Sequence, residues 1–147
     1  MTHADVLLFY RIAVAAGLSF VLGWERELRG SPAGDRTYSL VGVAAAAVTA
    51  VTIKESPQAV AGVITGIGFV GGALVFRETA GLIKGVTSAA TIFAVAGIGI
   101  VAGAGHLTLA VLVTVFVLLV LELRHIPIVR LLDARRYAVK DRMDDRD

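Results

Sequence analysis

The sequence predicts an all-α fold, a polytopic transmembrane helical bundle with about five spans. First, 56% of its 147 residues are hydrophobic and its mean hydropathy is +0.79, whereas soluble domains contain about 45–50% apolar residues even when glycine is counted. Second, only six charged residues lie between Thr37 and Leu123. Third, the apolar residues form runs close to the roughly 20 residues that a helix needs to cross a bilayer.

Five apolar runs are predicted to be spans. The first is not expected to be a signal peptide, because no Lys or Arg precedes it and no small-residue cleavage site follows it. Pro57 opens the third run at the first helical turn, where a missing N–H costs nothing. Only the region of His106 separates the last two runs, so their helices should be antiparallel neighbours. The predicted spans are Val6–Trp24, Thr37–Ile53, Pro57–Phe76, Val86–Ala104 and Leu107–Leu123.

These spans make one predicted transmembrane domain over residues 1–123, followed by a short charged tail over residues 124–147. Three Lys or Arg residues lie in the loop 25–36, two in the loop 77–85 and seven in the tail, against one, Lys54, in the opposite turns. Loops rich in Lys and Arg face the cytoplasm. We therefore expect a cytoplasmic C-terminus and an N-terminus on the outer side of the membrane.

Glycines are concentrated in the third predicted span, where Gly66, Gly68 and Gly71 match the spacing G-x-G-x-x-G. A dinucleotide site would need this motif between a strand and a helix, with an acidic residue about 20 positions later, and none of these conditions holds. Small residues four apart instead let membrane helices approach closely. We expect the third span to be the most buried helix or, alternatively, to be broken and to face a ligand. The predicted packing glycines are Gly62, Gly66, Gly68, Gly71, Gly72, Gly85, Gly99 and Gly103.

Polar residues gather on the predicted cytoplasmic face, and no comparable cluster occurs on the outer face. Charged residues at span ends commonly anchor or pair helices, and a binding site for a ligand or partner is the alternative. Arg11 lies within the first span, where it either extends toward the outer surface or pairs inside the bundle. The candidate binding residues are Glu25, Arg26, Arg36, Thr37, Arg77, Lys84, Thr87 and Thr91.

Several functional classes are not expected from this composition. The chain has no cysteine, which excludes disulfides and thiolate metal sites. Its three histidines, His3, His106 and His125, lie too far apart in the predicted topology to form one site, and no nucleophile–base pair is visible. We expect no enzymatic activity, no evident cofactor and no nucleic-acid partner. Magnesium remains open, because a pore lined by backbone carbonyls and Thr needs no carboxylate.

Three ordered segments resemble motifs of the MgtC/SapB family of bacterial membrane proteins. The segment LGWERE at residues 22–27, with GDRT at residues 34–37 and LV after it, resembles the family's G-L-E-R-E, G-x-R-T and L-V. TGIGFVG at residues 65–71 resembles S-G-I-G-F-L-G, and KGVTSAAT at residues 84–91 resembles R-G-L-T-T-A-A-T. The matching positions include Glu25, Arg26, Arg36, Thr37, Gly66, Gly68, Gly71, Gly85, Thr87 and Thr91.

The resemblance implies a multi-pass protein of the bacterial inner membrane, linked to magnesium limitation or to survival in host cells. It favours a non-enzymatic protein that binds a small ligand, or a partner such as another membrane protein, at its cytoplasmic face; the alternative is a cation transporter or channel for magnesium. Gln58 and Gly62 stand where the family often has Arg and Gln, and the tail predicts a short form without the larger members' C-terminal domain. We also expect a homodimer, since leftover glycine faces pair readily between helices.

Overall fold

The computed structural model describes residues 2–75 and 85–123, and every regular element within them is helical. No strand occurs in this described part, which confirms the predicted all-α class. The candidate residues Arg77 and Lys84, and the charged residues 124–147, lie outside the described residues. The helices are α1 (His3–Leu28), α2 (Asp35–Thr52), α3 (Gln58–Val75), α4 (Val86–Gly103) and α5 (Leu107–Glu122).

Length and composition suit several of these helices to a membrane. Among the described residues, α1, α3 and α4 are both long and apolar enough to cross a bilayer, and α5 is apolar but has only 16 residues. A protein with several membrane helices is therefore supported. Two points stay predictions: all five helices cross the membrane, and the N-terminus lies on its outer side.

The core of the bundle is formed by α1, α2 and α4, which approach one another through small residues. A Cβ atom built on Gly99 of α4 would lie 2.6 Å from the backbone oxygen of Gly42 in α2. A Cβ built on Gly42 would in turn collide with the side chain of Ser19 in α1, and one on Gly103 would collide with the carbonyl oxygen of Ala46. No larger side chain fits at these crossings, so glycine sets the distance between the three helices.

The third helix is not the most buried one, so that expectation is wrong. Gly71 is its one buried residue, whereas α4 buries nine. A Cβ on Gly62, Gly66 or Gly68 would meet nothing within 4 Å, so these glycines make no close helix contact inside the single chain. The physical reason is that α1, α2 and α4 fit one another more closely, which leaves α3 at the side of the bundle against α2 and α4.

The helix α3 is also continuous from Gln58 to Val75. The alternative of a broken third helix is therefore not what the structure contains. It reaches α4 near its C-terminal end, where a Cβ built on Gly71 would touch Ala89 at 3.6 Å. Gly85, whose φ is 89°, stands at the N-cap of α4 beside the carbonyl oxygen of Leu74, a backbone conformation that favours glycine.

The chain runs back and forth, so chemically different residues meet at the two ends of the bundle. At one end, here the loop end, α1 and α3 finish and α2 and α4 begin. At the other, here the turn end, α1 begins and the turns after α2 and α4 lie. The bundle belongs to a compact unit, Met1–Val117. A second unit starts at Leu118, and its described part is the last turn of α5 with Leu123.

Candidate binding site at the loop end

Three charged side chains at the end of α1 form a compact ion-pair cluster. Arg26 donates two hydrogen bonds to the carboxylate of Glu25, from Nε to Oε2 at 2.6 Å and from Nη2 to Oε1 at 3.0 Å. Arg29 approaches the same carboxylate, with Nε 3.3 Å from Oε1, as the spacing of four residues predicts. Glu25 and Arg26 are largely shielded from solvent. The Glu25 carboxylate is therefore already occupied by two guanidinium groups.

A buried hydroxyl network lies next to this cluster and joins α2, α4 and the loop after α1. Tyr38 is fully buried and donates its phenolic hydrogen to the backbone oxygen of Ser88 at 3.3 Å. The hydroxyls of Ser88 and Ser31 share a hydrogen bond of 2.7 Å, and the buried residue Thr91 lies beside the phenol. Each buried polar group here has a partner, as low-dielectric surroundings require. The network fixes the loop after α1 against the start of α4.

An open cleft of about 520 Å³ lies at the same end. It is lined by the end of α1, the loop that follows and the first turn of α2. Ser31 belongs to both the cleft and the hydroxyl network, so the cleft adjoins the buried network directly. The lining residues are Glu27, Ser31, Gly34, Asp35, Arg36 and Thr37.

The first turn of α2 is held by a carboxylate from another helix. Gly34 occupies the N-cap position and has no side chain to cap the helix. Glu27 takes that role, since its Oε2 accepts a hydrogen bond from the backbone N–H of Asp35 at 3.1 Å. A Cβ on Gly34 would collide with the Glu27 carboxylate, which explains why glycine stands there. A carboxylate near a helix N-terminus also complements the helix dipole.

Arg36 is the charged group of the cleft that stays available. Its side chain is exposed, and no carboxylate of the described residues lies within ion-pair distance of its guanidinium. Asp35 instead accepts the backbone N–H of Arg36 at 2.6 Å. The cleft thus combines one uncommitted cation with the Thr37 hydroxyl and with carboxylate oxygens from Glu27 and Asp35.

The sequence-predicted binding residues fall into separate places. Arg36 and Thr37 line the cleft, Glu25 and Arg26 form the ion pair, and Thr91 lies beside the Tyr38 network. Thr87 is exposed, and its carbonyl accepts the Thr91 hydroxyl at 2.7 Å. Arg77 and Lys84 lie outside the described residues.

Sequence reasoning overlooked Tyr38 and Ser31. Tyr38 follows the G-D-R-T segment directly, but a tyrosine at a span end is usually an interfacial anchor, so its type gave no signal of a buried role. Its partner Ser88 is 50 positions away. The one available signal was the shared position of these residues at the predicted cytoplasmic ends of three spans.

No group of three or more His, Cys, Asp or Glu side chains that would hold a metal ion occurs among the described residues. The cleft offers two carboxylates, Glu27 and Asp35, each of which already accepts a backbone N–H.

Comparison with known proteins finds one matching family model and several related proteins. The model of the MgtC family matches residues 12–127. The chain is 36% identical over 127 residues to "Protein MgtC" of Brucella abortus, covering 83% of this chain and 52% of that protein. It is 30% identical over 131 residues to "Protein SapB" of Bacillus subtilis, covering 80% and 56%.

A third relative is the "Putative magnesium transporter YhiD" of Escherichia coli K12, 33% identical over 138 residues that cover 85% of this chain and 62% of that protein. The chain spans about half to three fifths of the length of these curated relatives. No solved structure matches it. The family model covers most of the chain, and all three ordered motifs lie within the matched residues. This chain belongs to the MgtC family.

Proposed function

We propose that this protein is a non-enzymatic integral membrane protein that binds a partner or a small polar ligand in the loop-end cleft. The observation that carries the proposal is the exposed guanidinium of Arg36, which has no ion-pair partner among the described residues and lines a polar cleft of about 520 Å³. A cleft of that volume is within the range of small-molecule sites. The other charged groups that the structure describes at this end already have partners, which leaves Arg36 for a molecule from outside.

The lining predicts the chemistry of the occupant. Arg36 offers a planar set of donors that suits a carboxylate or phosphate, and Thr37 offers a hydroxyl beside it. Glu27 and Asp35 offer acceptors a few residues away. An occupant with an anionic group next to hydrogen-bond donors fits this arrangement, as does a polar loop of another membrane protein.

Location and biological setting belong to the same proposal. The basic loops favour a cleft on the cytoplasmic side of the bacterial inner membrane. Membership of the MgtC family links the chain to magnesium limitation or virulence-type adaptation. We also propose that the protein forms a homodimer in the bilayer.

The experiment is complementation of a strain that lacks this gene, grown in medium with limiting magnesium. Arg36→Ala is expected to abolish complementation, since it removes the available cation of the cleft. Lys54→Ala is the matched control: it removes an exposed basic residue at the turn end and is expected to complement like the wild type.

Protein abundance in the membrane separates binding from folding. Wild-type abundance of Arg36→Ala without growth supports a binding role. Full growth of that variant would contradict the proposal. Loss of the variant protein would move the role of Arg36 to folding, and Arg36→Lys, which keeps the charge, would then be scored in its place.

A second candidate function is cation transport, favoured by the printed name of the Escherichia coli relative. Its test is magnesium and proton flux into proteoliposomes, with the wild type beside Arg36→Ala. Flux that disappears in Arg36→Ala would make the loop-end cleft part of a transport path. Folded wild-type protein that gives no flux under either gradient would exclude transport and leave the binding function.

A further inference from the structure

One charged side chain, Arg11, lies at the turn end of the bundle, away from the loop-end cleft. Arg11 is the one residue of Asp, Glu, Lys or Arg type between Asp5 and Glu25. It lies eight residues after the start of α1, or about 12 Å along the helix axis at 1.5 Å per residue. An Arg within a membrane helix is rare and needs compensation.

The guanidinium of Arg11 is held against the C-terminal end of α4. That end is a Schellman motif, in which Gly105 N–H binds the carbonyl of Ala102 at 2.9 Å and His106 N–H binds that of Val101 at 3.1 Å. Arg11 Nη1 donates to the carbonyl of Gly103 at 3.3 Å. The positive charge therefore also lies where the helix dipole is negative.

Gly105 makes this approach feasible. Its φ is 96°, and a Cβ built on it would lie 3.0 Å from both Cζ and Nη2 of Arg11. Any other residue would press against the guanidinium. The absence of a side chain at Gly105 therefore lets the guanidinium pack directly against the turn.

Most of the hydrogen-bonding capacity of Arg11 remains unused. A guanidinium has five N–H donors, and the Gly103 bond takes one. No carboxylate of the described residues lies within 4.0 Å of Arg11, and the side chain is half-buried. Because Arg11 lies where the apolar run of α4 ends and next to the exposed residue His106, we expect its remaining donors to lie near the boundary between hydrocarbon and headgroups.

We propose that Arg11 binds the phosphate group of a membrane phospholipid at the turn end. A guanidinium matches phosphate with two parallel charge-assisted hydrogen bonds, and the phosphate neutralises a charge that no carboxylate of the described residues neutralises. The Gly103 carbonyl and the Gly105 turn hold the guanidinium in place for this contact. This site is separate from the loop-end cleft and does not depend on it.

The test is native mass spectrometry of the purified full chain titrated with phosphatidylglycerol and with a diacylglycerol of the same acyl chains. Wild type is expected to bind one phosphatidylglycerol about tenfold more tightly than diacylglycerol. Arg11→Gln should lose that preference, and Arg11→Lys should keep part of it. Lys54→Gln, which removes an exposed basic residue at the same end, should keep all of it.

Three other outcomes would overturn the proposed phospholipid site. Equal binding of the two lipids by wild type would overturn the proposal, even if the Arg11 variants fail to fold. Thermal stabilisation of wild type by inorganic phosphate as large as that by phosphatidylglycerol would mean a site for free phosphate, which also overturns the lipid assignment. Retention of the preference in folded Arg11→Gln would show that another residue binds the lipid.

Discussion

At the residue scale, the loop end is organised around Tyr38, the largest fully buried side chain of the described residues. It belongs to α2, and its hydroxyl donates to the backbone oxygen of Ser88 in α4. Ser31 extends the same network toward the cleft. A single phenol therefore connects helix packing with the shape of the candidate site.

Removal of that hydroxyl gives a defined prediction. Tyr38→Phe keeps the ring but loses a buried hydrogen bond, so the free energy of unfolding in detergent should fall by about 1–2 kcal/mol. Tyr10→Phe is the control, because Tyr10 is 56% exposed and its loss of a hydroxyl should change the value by less than about 0.5 kcal/mol. Equal effects of the two variants would refute the role given to the Tyr38 hydroxyl.

Part of the loop-end site could be predicted from the types and spacing of its residues. The G-x-R-T resemblance indicates Arg36 and Thr37, and the spacing of four residues on one helix is enough to bring Glu25 and Arg29 together. The contact between Tyr38 and Ser88 joins residues 50 positions apart, and a contact at that separation depends on which helices become neighbours. Local sequence patterns do not determine which helices pack against each other.

At the element scale, the two glycine-rich helices behave differently. In α4, Gly99 lies where a side chain would strike α2, whereas Gly97 has open space around it. In α3, Gly66 also has open space. Similar glycine spacing therefore occurs in a helix at a close crossing and in one at the side of the bundle.

Substitution of these glycines tests that difference. In Gly99→Ala the new Cβ would press on the Gly42 carbonyl at 2.6 Å, and such overpacking should lower the free energy of unfolding by about 1–3 kcal/mol. Gly97→Ala and Gly66→Ala should leave it unchanged or raise it slightly, since alanine is the better helix former. Comparable losses in all three variants, measured by unfolding in detergent, would contradict the assigned packing.

The positions of the helices could be predicted well, because apolar run length and flanking charge are local properties. The predicted fourth and fifth spans begin at Val86 and Leu107, where α4 and α5 begin, and the other ends differ by a few residues. The burial of α3 could not be predicted, because glycine content shows that a helix can be approached closely and does not identify the neighbour. The small residues facing one another on α1, α2 and α4 decided that choice.

At the scale of the whole molecule, the alternation of helix directions separates two chemically distinct ends. The loop end carries the cleft and the ion pair, and the turn end carries Arg11 and the exposed turn of Lys54. Which end faces the cytoplasm is a prediction from the basic loops. The absence of cysteine from the chain makes this prediction easy to test.

Single cysteines at exposed positions report the orientation. In intact cells, Ser56→Cys in the turn before α3 should react with a membrane-impermeant maleimide, and Pro32→Cys at the loop end should react only after the membrane is opened. Both positions are exposed, so accessibility of the thiol itself is matched. The reverse pattern would invert the assigned orientation and place the cleft outside the cell.

The contact between Arg11 and Gly103 spans 92 positions, which has a consequence for how the protein is made. During synthesis α1, α2 and α3 leave the ribosome before α4 exists. Until α4 arrives, the charge on α1 has no helix C-terminus to contact, and the face of α2 that carries Ala45 and Ala46 has no covering helix. Maturation of the bundle therefore waits for α4, and a nascent chain arrested before residue 103 would expose an uncompensated arginine to the insertion machinery.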